Sequence, residues 1–346
     1  MTKPKYRIVA EMLRNDILAG AYTQGKRLPG DHELVKQTGY SRHTIRQAIN
    51  LLEYENLVYR VRGSGTYLRN AVRHAATRNI AVVTTYIGEY IFPEILKGIE
   101  QTLTRNGYVS MLYATYNRVE NERKILTELL TKPIDGIIVE GTKTALPNPN
   151  IDLYLQLQNQ GIPLVFINGY YPDLERILYV VSDDRTGGQI ACKHLIDKGC
   201  RTIAGIFKSD DIQGHRRYAG YAAAMLDNEL TVHDELVFWY TTENRTELLA
   251  AALKKLAACE GVVCYNDEVA LYIAKAVHAK KIRPLAIASF DHSTYASLSP
   301  EPVFSLDSPK ADIGRHAGEK MMELLQHRRS ESAVLPWKLI ETENGD

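Results

Sequence analysis

The sequence predicts an α/β protein in two parts: a small head of helices closed by a β-hairpin, and a two-lobed body of parallel sheets. Three observations carry this. At 346 residues the chain exceeds one ordinary domain. Near residue 79 the apolar pattern switches from a helical period to short apolar runs alternating with amphipathic helices. The charge is also divided. The whole chain carries a net +1, yet residues 1–75 hold thirteen Lys and Arg against six Asp and Glu, a surplus of seven that leaves −6 on the remainder.

Taken in order, Tyr6, Val9, Ala10, Leu13, Ile17 and Leu18 recur at helical spacing, and Gly20 ends that helix. Asp31 is placed to cap a short helix, DHELVKQTG, closed by Gly39. Ser41 is placed to cap a third, RHTIRQAINLLEYEN, with Ile45, Ile49 and Leu52 on one face. LVYRVRGSGTYLRN then reads as two short strands around Gly63-Ser64-Gly65. These elements set the head at 1–69. The polar, aperiodic stretch 70–78 is the expected linker, and 79–346 the body.

In the body, IAVVTTYI, FPEILKGIEQTLTRNG, YVSMLYAT, ERKILTELLTK and DGIIVEG begin a strand–helix alternation. It continues through PLVFING, GGQIACKHLIDKG, TIAGIF, YAGYAAAMLDN, LVFWYTT, ELLAAALKKLA, GVVCYND, EVALYIAKAVHAK, LAIASFD and VFSLD. Such alternation means parallel sheets covered on both faces. About ten strands suit two lobes better than one sheet, and a cleft between lobes is a natural small-molecule site.

Composition narrows the function classes. With 45% apolar and 24% charged residues the chain can bury sizeable cores. It has no run of about 18 apolar residues, so no membrane span is expected. The start, MTKPKYRIVAEMLRND, has no secretory apolar stretch, so the expected location is the cytoplasm. The four cysteines form no CxxC and read as reduced structural thiols. No catalytic or metal site is expected. G-x-S-x-G, Walker A, H-E-x-x-H and a strand-following G-x-G-x-x-G are all missing. Asp183-Asp184 reads as a strand-end pair that faces a ligand or caps a helix, rather than as a metal pair.

The head offers polyanion chemistry. Two helices joined by a Gly-containing turn fit a helix-turn-helix, whose second helix enters the major groove of duplex DNA. Its first turn carries Arg42, His43, Thr44 and Arg46. Arg bonds guanine bidentately, and Thr suits phosphate or a thymine methyl. The hairpin adds Arg60 and Arg62 beside the Gly63-Ser64-Gly65 tip, a wing able to approach the minor groove. Lys3 and Lys5 read equally as a solvated tail or as phosphate contacts.

The body offers polyol chemistry at the C-terminal strand ends, where open α/β sheets bind ligands. Tyr86, Tyr90 and Phe92 follow the first strand, Glu140 and Lys143 the third, and Asn168 the fourth. Asp183, Lys208 and Gln213 stand at later strand ends, with Arg217 on the next helix and then Asn266 and Asp291. Carboxylates, amides and guanidinium match sugar hydroxyls, which both donate and accept. Aromatic faces cover the apolar side of a sugar ring.

GAYTQGKRLPGDHELVKQTGYSRHTIRQAINLLEYENLVYRVRGSGTYL resembles the GntR-type winged helix, with Gly30 where that family has Ser and Asp31 where it has Glu. The resemblance implies that Arg42, Thr44 and Arg46 read bases or phosphates. PIDGIIVEG, GIPLVFIN, DDRTGGQIACKHLIDKG, GHRRYAGYAAAM, VVCYNDEVAL and IASFDHS resemble the LacI-like, periplasmic-binding-protein-like effector domain. There it implies that Arg217, Asn266, Asp291 and Asn168 hold ligand hydroxyls, with His292 replacing a usual second Asp. The two halves together resemble the family of arabinose-responsive repressors of Gram-positive bacteria. That resemblance implies a DNA-binding transcriptional repressor of sugar-use genes, released from its operator by L-arabinose. A homodimer through the α/β bodies, with two heads on a pseudo-palindromic operator, is expected, and no cofactor. Another pentose or small polyol would suit most of the same residues. The rival class, a sugar-processing enzyme with a basic head, would need a catalytic set that the sequence does not offer.

Overall fold

The computed structural model describes residues 4–18, 21–22, 27–54, 57–61, 64–68, 77–175, 177–326 and 328–338. The chain divides into two compact units, residues 1–77 with 155–162, and residues 78–154 with 163–346. Most of the expected linker, and the wing residues Arg62 and Gly63, lie outside the described residues.

The head comprises α1 (Lys5–Leu18), α2 (Asp31–Thr38), α3 (Arg42–Tyr54) and an antiparallel hairpin of β1 (Val58–Val61) and β2 (Gly65–Leu68). Val9, Leu13, Leu34, Ile45, Ile49, Leu52, Val58 and Leu68 form one buried cluster. In helices this small, stability comes mainly from that shared apolar face. Gly39 ends α2 with φ 73°, a left-handed cap that glycine enters without strain. Ser41 accepts from the Thr44 N–H at 3.3 Å, capping α3. Asp31 does not cap α2 as expected. Gly30 holds the N-cap position without a side-chain bond, and the Asp31 carboxylate turns instead to Arg46 and Arg42, at 2.8 and 3.4 Å. Two guanidinium partners outweigh one backbone N–H for an acid already placed in the first helical turn.

The first lobe of the body begins with β3 (Asn79–Thr84), α4 (Phe92–Arg105), β4 (Val109–Ala114), α5 (Val119–Leu129) and β5 (Gly136–Val139). It continues with α6 (Ile151–Asn159), β6 (Leu164–Ile167) and β7 (Leu178–Ser182). The chain then crosses into the second lobe through α7 (Asp184–Asp197), β8 (Ile203–Lys208), α8 (Ile212–Asp227), β9 (Val237–Tyr240) and α9 (Arg245–Leu256). That lobe is completed by β10 (Gly261–Cys264), α10 (Asp267–His278), β11 (Ala286–Phe290), the short α11 (Thr294–Ser297) and β12 (Val303–Leu306). It returns to the first lobe with α12 (Lys310–Leu325) and β13 (Ala333–Leu335).

Lobe 1 is a six-stranded sheet ordered β13-β7-β6-β5-β3-β4, and lobe 2 a five-stranded sheet ordered β12-β11-β10-β8-β9. Every ladder in both is parallel. Parallel strands need helical cover on both faces, and the all-buried runs of β5, β6 and β10 follow from that. α12 packs against α4 over lobe 1, with Ile95, Ile99, Ile313, Ala317 and Met321 in one core. α7 and α8 lie together over lobe 2, close enough that a Cβ at Gly220 would clash with the Arg185 carbonyl. The chain crosses between lobes at three places that touch one another. The Asp183 N–H reaches the Leu335 carbonyl at 2.9 Å, and Asp307 and Lys338 exchange backbone bonds of 2.9 Å each.

Candidate functional site

In the head, Arg42 and Arg46 project from the start of α3 with side chains more than half exposed, 53% and 57%. Both are steadied by Asp31. Burial raises the Asp31 carboxyl, but its bonds to Arg46 and Arg42 outweigh that and leave it below the usual range. Exposed pairs of this kind contribute little to stability. His43 is exposed and Thr44 half-buried, with the Thr44 hydroxyl 2.9 Å from that of Ser41. Lys5 is the exposed first residue of α1.

Ser64 meets the Tyr67 hydroxyl at 2.5 Å, and Tyr67 stacks on Tyr59. Gly65 is required by its φ of 134°; a Cβ there would meet the flexible end of the Arg27 side chain, which can shift. Arg60 ties the hairpin to α3 by donating to the Arg46 carbonyl at 3.4 Å.

In the body, a cavity of about 270 Å³ lies between the lobes, just below the usual range of small-molecule sites. Of the expected ligand residues, Tyr86, Tyr90, Phe92, Glu140, Asn168, Lys208, Gln213, Arg217, Asn266 and Asp291 line it. Two do not. Asp183 caps α7, accepting from the Thr186 N–H at 3.2 Å. Lys143 turns along the lobe boundary to Glu243 at 2.6 Å, where a carboxylate of the opposite lobe is a stronger partner than a neutral hydroxyl.

On the lobe 1 wall, Glu140 is held from three sides. Thr85 donates its N–H (2.9 Å) and hydroxyl (2.5 Å) to Oε2, and Asn168 donates Nδ2 to Oε1 at 2.8 Å. Burial still raises the carboxyl above its ordinary value, because those bonds only partly replace water. Asn168 sits at the end of β6 with φ 61°, a conformation that asparagine tolerates better than most residues. Tyr86 meets Phe92 and Tyr116 edge-on, at 5.9 and 6.1 Å, giving an apolar flank.

On the lobe 2 wall, Arg217 is 2% exposed. It donates Nε to Asp184 Oδ1 at 2.9 Å and Nη1 to the Tyr265 carbonyl, and Nη2 lies 3.9 Å from Asp291 Oδ1. Its guanidinium carbon stands 4.4, 4.8 and 5.0 Å from the ring centres of Phe290, Tyr265 and Trp337. Burial disfavours the cation, but Asp184 and Asp291 more than offset that and keep it charged. Burial lifts the Asp184 carboxyl to about 6 against the pull of Arg217. Among the described residues its Oδ2 is buried without a hydrogen-bond partner. Two buried carboxylates facing one guanidinium leave a surplus negative charge, and Asp184 is where it is least well solvated.

Lys208 is paired with Asp211 at 2.5 Å and Asp210 at 3.2 Å. Asn266 caps α10 through Oδ1, which leaves its amide N–H groups for the cavity. Arg245 pairs with Glu268 at 2.5 Å. The lining therefore holds three cations (Lys208, Arg217, Arg245), each with a carboxylate partner, and five acids (Glu89, Glu140, Asp211, Glu268, Asp291). Such a wall suits a neutral, hydroxyl-rich ligand and repels an anion.

The lining also includes Asn117, Tyr240, Tyr265, Arg245 and Tyr295, which sequence reasoning passed over. Asn117 and Tyr265 follow β4 and β10, and Tyr240 ends β9, so the strand-end rule applied evenly would have found them. Arg245 and Tyr295 lie further along their loops and carry no such signal. Among the described residues no cluster of His, Cys, Asp or Glu could hold a metal ion. Nor is any described helix long and apolar enough to cross a membrane.

Residues 5–68 match the family of bacterial regulatory proteins called gntR, and residues 192–342 match a periplasmic binding protein-like domain. The arabinose metabolism transcriptional repressor of Halalkalibacterium halodurans is 35% identical over 95% of this chain and 92% of its own. That of Geobacillus stearothermophilus is 35% identical over 94% and 93%. A solved transcriptional regulator, CelR in complex with cellobiose, shares the fold with a TM-score of 0.69 at 21% identity, covering 89% of this chain and 92% of that one. The two arabinose-metabolism relatives are transcriptional repressors, not enzymes. The chain accordingly belongs to the family of the arabinose metabolism transcriptional repressors, GntR-headed transcription regulators with a periplasmic-binding-protein-like effector domain.

Proposed function

We propose that this repressor responds to a neutral monosaccharide held in the interlobe cavity, and that the sugar is L-arabinose, as the names of its relatives suggest. The observation that carries the reading is the pairing of opposite walls. Glu140 and Asn168 face in from lobe 1, and Arg217, Asn266 and Asp291 from lobe 2. A polyol spanning the cavity would bond to both lobes at once, so it binds the closed arrangement best and shifts the population toward it.

The head, residues 1–69, grips duplex DNA through Arg42, His43, Thr44 and Arg46 on α3, with the wing tip Arg62-Gly63-Ser64-Gly65 and Lys5 at the backbone. The chain works in the cytoplasm as a homodimer on a pseudo-palindromic operator. Sugar binding weakens operator binding, and by linkage the operator weakens sugar binding by the same factor.

Calorimetric titration of the full-length protein with L-arabinose, other pentoses and hexoses, with and without operator, tests the reading. L-Arabinose should bind most tightly, and operator should lower its affinity. Equal affinity with and without operator would refute the coupling, and no binding by any sugar would refute the cavity assignment.

A further inference from the structure

Tyr90 belongs to lobe 1 by chain position and to lobe 2 by its contacts. It lies in the loop between β3 and α4 with φ 57°, a left-handed conformation that a bulky residue adopts only where its surroundings hold it. Those surroundings come from the other lobe. Its hydroxyl donates to Asp291 Oδ2 and accepts from the Asp267 N–H at 3.4 Å. Its ring stacks on Tyr295, with centres 5.7 Å apart and planes 21° from parallel. Asp291 is therefore shared, Oδ2 with Tyr90 and Oδ1 with Arg217.

We propose that Tyr90 is a positioning residue for the effector: its hydroxyl engages one oxygen of Asp291 only when the lobes are together, leaving the other oxygen and Arg217 to take a ligand hydroxyl. The inference rests on the reading of the cavity as the effector site. When the lobes part, Asp291 loses this partner and is left with Arg217. A ligand contacting both walls needs the closed arrangement, so its apparent affinity scales with the fraction of protein closed. Removing a bond made only on closure weakens every ligand by one common factor. A hydroxyl-to-carboxylate bond in a buried site corresponds to about ten- to hundredfold in that factor.

The test is Tyr90→Phe in the full-length protein, which keeps the ring on Tyr295 and removes the hydroxyl. Titrations with L-arabinose, D-xylose, D-ribose and D-galactose are compared with wild type, alongside operator affinity and circular dichroism of the sugar-free protein. The expected result is a loss of about ten- to hundredfold, similar for every sugar that wild type binds, with sugar-free operator affinity unchanged. Unchanged sugar affinity overturns the proposal. Tighter binding also overturns it, because the phenol would then be competing with the ligand. Lost operator binding by the sugar-free variant overturns it too, since the hydroxyl would be holding the fold. If wild type binds none of the sugars, the cavity assignment falls and this inference with it. If wild type binds and the variant matches it, this inference alone falls.

Discussion

Arg217→Met should cost far more stability than removal of a ligand contact would. The side chain is 2% exposed and is the cation between Asp184, at 2.9 Å, and Asp291, at 3.9 Å. Methionine fills much of the same volume against Phe290, Tyr265 and Trp337, so cavity formation is a minor loss. What remains is two buried carboxylates without their counter-ion and the Tyr265 carbonyl without its donor. Breaking a buried pair from one side costs about 3–5 kcal/mol. In a body of this size that amounts to roughly 6–20 °C in melting temperature. Urea unfolding followed by tryptophan fluorescence is a suitable assay, because Trp239 and Trp337, the two tryptophans of the chain, both pack in the lobe 2 core. A loss below about 1 kcal/mol, the range of ordinary surface changes, would refute the reasoning and return Arg217 to the role of a ligand contact alone.

Three further outcomes rest on the same geometry. Asp31→Asn removes the carboxylate beside Arg42 and Arg46, and should change head stability by less than about 1 kcal/mol. It should also strengthen operator binding and steepen its salt dependence, so weaker binding in gel shifts would show that Asp31 is needed to aim the arginines. Gly220→Ala forces a Cβ into the Arg185 carbonyl on α7 and should cost about 1–3 kcal/mol; a neutral urea midpoint would refute the close approach of α7 and α8. For pH, burial lifts the Asp184 carboxyl to about 6 and raises Asp267 and Glu140 as well. The native state then binds protons that the unfolded chain releases, so this part of the stability falls as pH rises from about 4 through about 6. Urea midpoints should be higher at pH 5 than at pH 7, with Asp184→Asn flattening the difference. A wild-type midpoint rising over that interval would contradict the assignment.

The head was legible in the sequence almost residue by residue, because its signals are local. Gly39 and Ser41 act where their chemistry places them, and the apolar face of α3 alone marks its core side. Asp31 went the other way because its partners are eleven and fifteen residues on, beyond the reach of a capping rule. In the body the alternation was legible, but the assignment of elements to lobes was not. α6, β7, α12 and β13 went unread. β7 and β13 pair with each other across more than 150 residues, and α12 comes after the last strand of lobe 2 yet covers lobe 1. Three chain crossings produce that arrangement, and no local pattern encodes a crossing. The same limit explains Lys143 and Asp183. Each stands near a strand end, where polar residues suit ligands equally well as caps or interlobe pairs, and only the position of the opposite lobe decides.

Arg217 links the cavity to those crossings. Its Nε partner, Asp184, opens α7 directly after the first crossing, and Trp337, over which it stacks, comes after the third. Asp291 N–H bonds the Leu306 carbonyl at 2.7 Å, just before the second. All of these partners lie on the lobe 2 side of the crossings, so a rotation of lobe 1 leaves the surroundings of Arg217 intact and moves Tyr90 relative to Asp291. Close-packed aromatic surroundings do not deform continuously. In the proposed reading the lobe 2 cluster around Arg217 is thus a fixed template, and the bond from Tyr90 to Asp291 is what links occupancy of the cavity to the angle between the lobes.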